Sequence, residues 1–372
     1  MNGSFKVGNI LGIDIEINYS WLLIFALFSF TLASHYFPLE AEDFTPTVYW
    51  SMGVITTIMV FVSVLLHELA HSLMAISKGI PIRKITLFIF GGVAQMEEEP
   101  QQPGTELKIA LVGPATSLVL GVIALGVYQL LPPNLPLSHV VAFLARINFV
   151  VGVINLIPAF PLDGGRVLRA GIWYFLKNML RATRYAVIVG SIFAFFAIAL
   201  GFFMIFQYAL IWGIWYIFLG WLLFQAGQAS YNQLVFHQAL KGVPVKQIMS
   251  AEVQTVPLSL GLDKLVDHFY RHRFGAFPVT LHGDLKGLVT FHQLRNIPQE
   301  KWGTTTTAEI MTPLEKLITV SPDQDAVEVM MKMAAENEGR VLVIENNELV
   351  GILSRTDMMK LISMHMLLGT EK

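Results

Sequence analysis

Six apolar runs dominate the first 226 residues of this 372-residue chain. A helix needs about 20 apolar residues to cross a bilayer, and each run is close to that length or longer. We place the runs near residues 18–37, 50–77, 107–131, 139–160, 185–206 and 208–226. Only 14% of the residues are charged, whereas a soluble domain has about 25%. The sequence therefore predicts a polytopic α-helical membrane protein with about six transmembrane helices.

Charge and cysteine content exclude several classes of protein. The formal net charge is −2, so there is no basic field to attract nucleic acid, and we expect no direct nucleic-acid partner. The chain has no cysteine, which excludes disulfides, thiolate metal ligands and Cys nucleophiles. Charged residues are concentrated after residue 230, which predicts a membrane part followed by a soluble part.

The distribution of lysine and arginine predicts the orientation in the membrane. These residues occur in segments 78–106 and 163–184, and they are absent from loops 38–49 and 132–138. Short cytoplasmic loops carry an excess of Lys and Arg. We therefore expect a multi-pass protein of the cell membrane with both termini in the cytoplasm.

The segment 80–96 (IPIRKITLFIFGGVAQM) is apolar but too short for another span. Its partial alternation and its Gly91-Gly92 pair predict two short membrane-associated strands. Strands in lipid leave backbone groups unpaired, so these strands have to pack on protein or line a wet cavity. A strand edge at this place is suited to pairing with an extended peptide.

Residues 245–300 and 308–363 read as two copies of one unit. Each copy contains an Ile-Met pair, a Thr-Val strand, a helix, two further strands and a closing helix, in that order. This repeat predicts a soluble α/β part. We therefore expect a transmembrane domain at 1–226, a linker at 227–244 and a soluble domain at 245–372.

His67-Glu68-Leu69-Ala70-His71 forms an H-E-x-x-H motif inside the second apolar run. Residues four apart share a helix face, so both imidazoles can hold one Zn²⁺, with Glu68 beside them as a base for water. Ionisable groups at hydrocarbon depth are expensive and indicate function. The alternative is that these side chains pair with one another or with neighbouring helices.

A catalytic zinc takes three protein ligands and keeps one position open, so a third ligand has to come from elsewhere. Arg146 cannot ligate a metal, and His139 lies at the opposite, uncharged face of the membrane. Asp163 follows a proline-containing turn at the cytoplasmic end of the fourth run, which is a depth compatible with the motif. The alternative for Asp163 is a capping residue in a Pro-Gly turn.

HELAH in an early span, followed later by NLIPAFPLDGG, resembles the site-2 protease family of intramembrane zinc metalloproteases. The resemblance implies one zinc ion per chain, bound by His67, His71 and Asp163, with Glu68 as the catalytic base. It also implies that Asn155 binds the substrate or stabilises the transition state, although an interhelical hydrogen bond is an equal alternative for this residue.

The resemblance also indicates what such an enzyme acts on. Bacterial and archaeal members of the family hydrolyse a peptide bond in or near the transmembrane segment of a membrane-anchored protein. Anti-sigma factors, pro-sigma factors and peptide remnants are examples of such substrates. The lipid bilayer is the second expected partner.

The repeated soluble part resembles a tandem pair of cystathionine-β-synthase (CBS) domains. In that family a Ser/Thr-x-x-Asp pattern contacts an adenine nucleotide. The second copy has Ser354 and Asp357 with Thr356 between them, whereas the first copy has Thr290 but Gln293 in place of the aspartate. The resemblance implies at most one site, for ATP or AMP, and nucleotide regulation of the protease. A homodimer formed through these domains, without any ligand, is the alternative.

Two other functions stay open at this point. CBS pairs also occur behind ion carriers, so a channel or transporter could use the His/Glu/Asp cluster as an ion site. A catalytically inactive membrane scaffold is the third hypothesis, and the intact set of ligands argues against it. One tightly bound zinc per chain would favour the protease.

Overall fold

The computed structural model describes residues 3–41, 44–89, 91–96, 98–207 and 209–368, without the side chains of the last four. The predicted 245–372 domain thus ends in four residues that lie outside the described ones. The chain divides into two compact units, with the boundary between Asn232 and Gln233.

Six helices in the described part of the chain are long and apolar enough to cross a membrane. The first span, Tyr19–Glu40, consists of α1 (Tyr19–Thr31), a π-helical turn (Leu32–Tyr36) and α2 (Phe37–Glu40). The other five are α3 (Pro46–Ser77), α4 (Pro103–Leu130), α5 (Pro136–Asn155), α7 (Met179–Phe206) and α8 (Leu210–Leu240). The amphipathic helix α6 (Asp163–Leu176) lies between α5 and α7 in the chain and is not a span. The predicted helical membrane fold is confirmed.

Proline sets the start of three spans. Pro46, Pro103 and Pro136 stand in the first turn of α3, α4 and α5. Proline is favoured there because its fixed φ suits a helix and its missing N–H has no intrahelical acceptor at that position. The span boundaries therefore follow these prolines, a few residues before the starts that hydropathy alone predicts.

A four-stranded sheet joins two segments that are far apart in sequence. Its strands are β1 (Ser4–Ile10), β2 (Ile13–Asn18), β3 (Ile82–Phe88) and β4 (Gly91–Met96), in the order β1-β2-β3-β4. The two strands predicted within 80–96 are present, whereas the sequence did not predict β1 and β2. The strands β2 and β3 pair in parallel, so the start of the chain and the segment after α3 lie at the same end of the spans.

The sheet has one apolar and one charged face. Ile13, Ile15 and Ile85 are buried and pack with Leu65 and Leu69 of α3, which places the sheet against the helix that carries the H-E-x-x-H motif. On the charged face, Lys84 Nζ donates to Glu16 at 2.8 Å. The hydrogen bond from Lys84 and a second one from Ser4 hold the pKa of the Glu16 carboxyl below its usual value.

The predicted linker at 227–244 is largely helical. Helix α8 continues to Leu240, because residues 228–241 contain neither glycine nor proline. Gly242, with φ of +75°, then provides the left-handed turn that ends many helices.

The second unit contains two sheets, each built mainly from one copy of the repeat. One sheet has the order β5-β6-β7-β8 and the other β11-β10-β9. The strands are β5 (Val256–Pro257), β6 (Ala276–Leu281), β7 (Asp284–Thr290), β8 (Thr312–Pro313), β9 (Thr319–Val320), β10 (Arg340–Glu345) and β11 (Glu348–Ser354). The helices are α9 (Leu262–His272), α10 (Phe291–Arg295), α11 (Thr307–Ile310), α12 (Ala326–Ala335) and α13 (Arg355–Leu368).

Each copy also adds a segment to the sheet of the other. Thr312, near the start of the second copy, pairs with Leu288 of β7, and Ser250, near the start of the first copy, pairs with Ile352 of β11. The two copies therefore fold as one unit. Glycine allows this close contact, because a Cβ at Gly287 would lie 2.3 Å from the backbone oxygen of Thr312.

We predict that Gly287→Ala destabilises the soluble unit by about 1–3 kcal/mol, because the neighbouring backbone has to move to admit the methyl group. The measurement is hydrogen exchange of the β6–β7 peptides in the full chain. Gly303→Ala is the matched control, since a Cβ at Gly303 meets nothing within 4 Å. Equal exchange in both variants would contradict the prediction.

Candidate metal centre

Three potential metal ligands converge between α3 and the start of α6. His67 Nε2 lies 3.1 Å and His71 Nε2 3.2 Å from Asp163 Oδ2, and the two Nε2 atoms are 3.2 Å apart. Both imidazoles are buried, with 5% and 4% exposure. Among the His, Asp and Glu residues that the structure describes, these three form the group whose ligand atoms lie close enough together to hold one metal ion.

The donor set fits zinc. Zinc sites combine imidazole nitrogen and carboxylate oxygen at 2.0–2.2 Å, and in a tetrahedron such ligand atoms are about 3.4 Å apart. The three separations in this cluster approach that value. Two histidines and one carboxylate make three protein ligands, which leaves the fourth position of a tetrahedral site for water or substrate.

Local sequence explains how the ligands converge. His67 and His71 are one turn apart on α3, so their side chains share a face. Asp163 is the first residue of α6, directly after the turn of residues 156–162. This turn packs tightly on α6, because a Cβ at Gly164 would lie 2.3 Å from the backbone oxygen of Ile157.

Helix α4 supplies the hydrogen-bond partners of both imidazoles. His71 Nδ1 lies 2.6 Å from the carbonyl oxygen of Ile109, and His67 Nδ1 lies 2.9 Å from Ser117 Oγ. A carbonyl oxygen only accepts, so His71 carries its proton on Nδ1 and presents the lone pair of Nε2 to the metal position. Such outer partners orient metal-binding histidines. Sequence reasoning missed Ser117, although its position on an apolar helix was a signal.

A glycine on α4 provides the space for the imidazoles. A Cβ at Gly113 would lie 2.1 Å from His71 Nε2 and 2.7 Å from His67 Nε2. Gly113 lies four residues before Ser117 and four after Ile109, so all three positions belong to one face of the helix. This face both admits the two rings and fixes their orientation.

Glu68 lies beside the ligands and against the membrane-associated sheet. A Cβ at Gly92, in the edge strand β4, would lie 2.5 Å from Glu68 Cγ. The side chain that the sequence predicts as the catalytic base therefore lies next to a strand edge. Sequence reasoning noted the Gly91-Gly92 pair as a turn signal and missed this close approach.

Asn155 is the last residue of α5 and is half-buried. It precedes the turn that leads to Asp163 and is not among the described hydrogen-bond partners of the three clustered donors.

Arg146, which the sequence left without a role, donates to Glu40 at 2.9 Å and to the Tyr36 hydroxyl at 2.8 Å. That ion pair is largely exposed and separate from the metal cluster.

In the soluble unit, the predicted nucleotide-binding residues begin the closing helices. Asp357 Oδ2 accepts hydrogen bonds from the backbone N–H of Ser354 at 3.1 Å and from its hydroxyl at 2.6 Å. Thr290 and Gln293 form the equivalent capping box in the first copy. Gln293 therefore keeps the helix-capping role of the aspartate it replaces. Thr356 is exposed.

Comparison with known proteins identifies both parts of the chain. A profile of peptidase family M50 matches residues 55–134 and 133–200, and a CBS domain profile matches 245–300 and 308–364. Rip3 of Mycobacterium tuberculosis is 32% identical over 378 residues, covering 100% of this chain and 96% of Rip3. The zinc metalloprotease MJ0392 of Methanocaldococcus jannaschii is 30% identical over 363 residues, covering 98% of this chain and 97% of MJ0392.

A solved site-2 protease from M. jannaschii has 30% sequence identity and a TM-score of 0.42, covering 61% of this chain and 94% of that one. The chain belongs to peptidase family M50, the site-2 protease family of membrane zinc metalloproteases, and carries a tandem pair of CBS domains. The two-copy repeat and the family resemblance that the sequence predicts are thus confirmed.

We predict that Gly113→Ala prevents stoichiometric zinc binding, because its methyl group would overlap the imidazoles. The measurement is zinc per chain in the purified full-length protein by elemental analysis. Gly126→Ala is the control on the same helix, since a Cβ at Gly126 meets nothing within 4 Å. One zinc ion per chain in Gly113→Ala would contradict the conclusion that Gly113 provides the space for the two imidazoles.

Proposed function

We propose that this chain is an intramembrane zinc endopeptidase in which His67, His71 and Asp163 hold one zinc ion and Glu68 is the catalytic base. The observation that carries the proposal is the convergence of the three donor atoms, 3.1–3.2 Å apart, beside Glu68 and among apolar helices. Buried ionisable groups inside membrane helices are costly unless they are paired or bind a metal.

The chain's own residues account for the proton transfers of peptide hydrolysis. When bound, Zn²⁺ supplies a Lewis acid that polarises a carbonyl group and acidifies water. Glu68 is proposed to take a proton from the attacking water and to pass it to the leaving amide nitrogen. Asn155, at the end of α5, is proposed to hold the substrate near the scissile bond.

The edge of β4 is proposed to hold the substrate in an extended form. A peptide bond inside a helix is shielded by helical hydrogen bonds, so the transmembrane segment of the substrate has to unwind before it is cut. Strand β4 ends the four-stranded order and passes directly beside Glu68. An added strand there would place its backbone next to the catalytic base.

The proposed substrate is therefore a membrane-anchored protein, cut in or near its transmembrane segment. Anti-sigma factors, pro-sigma factors and peptide remnants are the candidates that the family resemblance supplies. The positions of Lys and Arg support a cell-membrane protein with cytoplasmic termini. The proposed domain boundaries are 1–226 for the protease, 227–244 for the linker and 245–372 for the soluble tail.

We predict that Glu68→Gln keeps zinc bound and abolishes cleavage, because the amide cannot take up the proton while the ligands are unchanged. Substrates are first captured by cross-linking to this variant in native membranes and identified by mass spectrometry. The captured segment then serves as the cleavage reporter, and zinc content is measured in parallel.

Two comparisons make this test decisive. Glu40→Gln is the matched control, because Glu40 lies in the same membrane unit and pairs with Arg146 instead of the metal cluster. Retained cleavage in Glu68→Gln would contradict its role as the base. Ion flux in a wild-type protein that contains no zinc would favour the channel hypothesis instead.

The tail is proposed to bind one adenine nucleotide, ATP or AMP, around Ser354, Thr356 and Asp357 and to regulate the protease. Asp357 uses Oδ2 for the helix cap. Its Oδ1 lies 3.8 Å from Lys360 Nζ, which is beyond hydrogen-bond distance, and can accept from ribose hydroxyls. Thr290 is proposed to form the weaker equivalent, because the adjacent Gln293 side chain is engaged with Thr290 and Thr312.

We predict that ATP raises the melting temperature of the tail in the full chain and that Asp357→Ala removes this shift. Ligand binding to the folded state alone stabilises it by mass action. Asp284→Ala, at the exposed start of β7, is the control that keeps the shift. A wild-type tail that shows neither heat nor a thermal shift with ATP or AMP would favour a dimerising scaffold without ligand.

A further inference from the structure

A buried ion pair connects α4 and α6 at one side of the metal cluster. Arg169 Nε donates to Glu106 Oε1 at 2.5 Å, and a second nitrogen of the same guanidinium contacts the same oxygen. Glu106 has no exposed surface, and Arg169 is 4% exposed. Glu99, which is half exposed, lies 3.6 Å from the guanidinium. None of these residues takes part in the proposed chemistry.

Stability alone does not explain this pair. Removing two charges from water is costly, and an apolar pair of similar volume is often equally stable or more stable. The Glu106 pair is also incomplete, because Oε2 is buried without a hydrogen-bond partner among the described residues. Buried polar pairs of this kind are best attested as devices that fix a register.

The pair is well placed to fix a register. Arg169 is six residues after Asp163 on α6, or about 9 Å along the helix, and Glu106 is seven residues before Gly113 on α4, or about 10 Å. Both helices thus run from the ion pair to the metal cluster over nearly equal lengths. A slip of one helical turn, about 5.4 Å, would remove Asp163 from the two histidines.

The same guanidinium also contacts the turn before Asp163. Its central carbon lies 5.1 Å from the centroid of the Phe160 ring. Phe160 packs on the first turn of α6, because a Cβ at Gly165 would lie 2.4 Å from the Phe160 backbone nitrogen. Arg169 therefore contacts both α4, which orients the histidines, and the turn that delivers Asp163.

We propose that the Glu106–Arg169 pair is a positioning device that sets the register of α6 against α4, and thereby the depth at which Asp163 meets His67 and His71. This inference rests on the proposed metal centre. Neither residue of the pair touches the metal position; both act through the helices that carry the ligands and their hydrogen-bond partners.

The test compares metal binding with fold stability in the purified full chain in lipid nanodiscs. The variants are Glu106→Gln, Arg169→Lys and the double variant Glu106→Met/Arg169→Met. Zinc affinity is measured by competition with a chelator, ligand geometry by the absorption spectrum of the Co²⁺ form, and stability by thermal unfolding of the metal-free protein. Arg146→Met, which breaks an exposed ion pair in the same unit, is the matched control.

We expect the double variant to unfold near the wild-type temperature while zinc binding weakens about 10- to 100-fold, the range typical of lost outer-shell support. Its Co²⁺ spectrum should also change. The zinc affinity of Arg169→Lys should lie between those of the double variant and the wild type, because lysine keeps the charge and loses the planar geometry. Arg146→Met should bind zinc like the wild type.

Wild-type zinc affinity and an unchanged Co²⁺ spectrum in the double variant would overturn the proposal. A loss of affinity that follows the loss of thermal stability in every variant, the control included, would overturn it too. If the double variant does not fold, Glu106→Gln decides by the same criteria. If the proposed metal centre itself is wrong, the result is different, because the wild type would then not bind one zinc ion per chain.

Discussion

The close approach of α3 and α4 at Gly113 is the constraint on which the membrane site depends. Two imidazole rings fill the space that a side chain would otherwise take, and the same helix face offers the oxygens that orient them. With the Nδ1 side of both rings engaged, the Nε2 atoms converge on Asp163. Without this face, the spacing of the histidines on α3 would not determine where their nitrogens point.

The sequence predicts those parts of the site that depend on local spacing. The spacing of four positions from His67 to His71 determines a shared helix face, and the Pro-Gly turn indicates that Asp163 can turn inward. The spans and the repeat are also local patterns. Partners from distant segments cannot be read in this way. Ser117 and the Ile109 carbonyl reach the histidines only because α4 packs against α3, and a backbone oxygen has no sequence signature.

Two further features could not be predicted from the sequence, for physical reasons. The charges of Glu106 and Arg169 look like ordinary ends of membrane segments, and only the packing of α4 on α6 shows that both are buried. The substitution at Gln293 looks like the loss of a functional carboxylate. In the structure its amide caps a helix as Asp357 does, so this position serves the fold whether or not a nucleotide binds.

The parallel pairing of β2 with β3 has a consequence for how the protein is made. The strand β2 precedes the first span and β3 follows the second, so each paired residue of β2 lies 70 positions before its partner, as Ile15 does before Ile85. It can form only after both spans have been inserted and the chain has returned to its starting side. The sheet that borders Glu68 can thus be completed once the second of the six spans is in place, and a nascent chain with only its first span inserted would not yet have this strand edge.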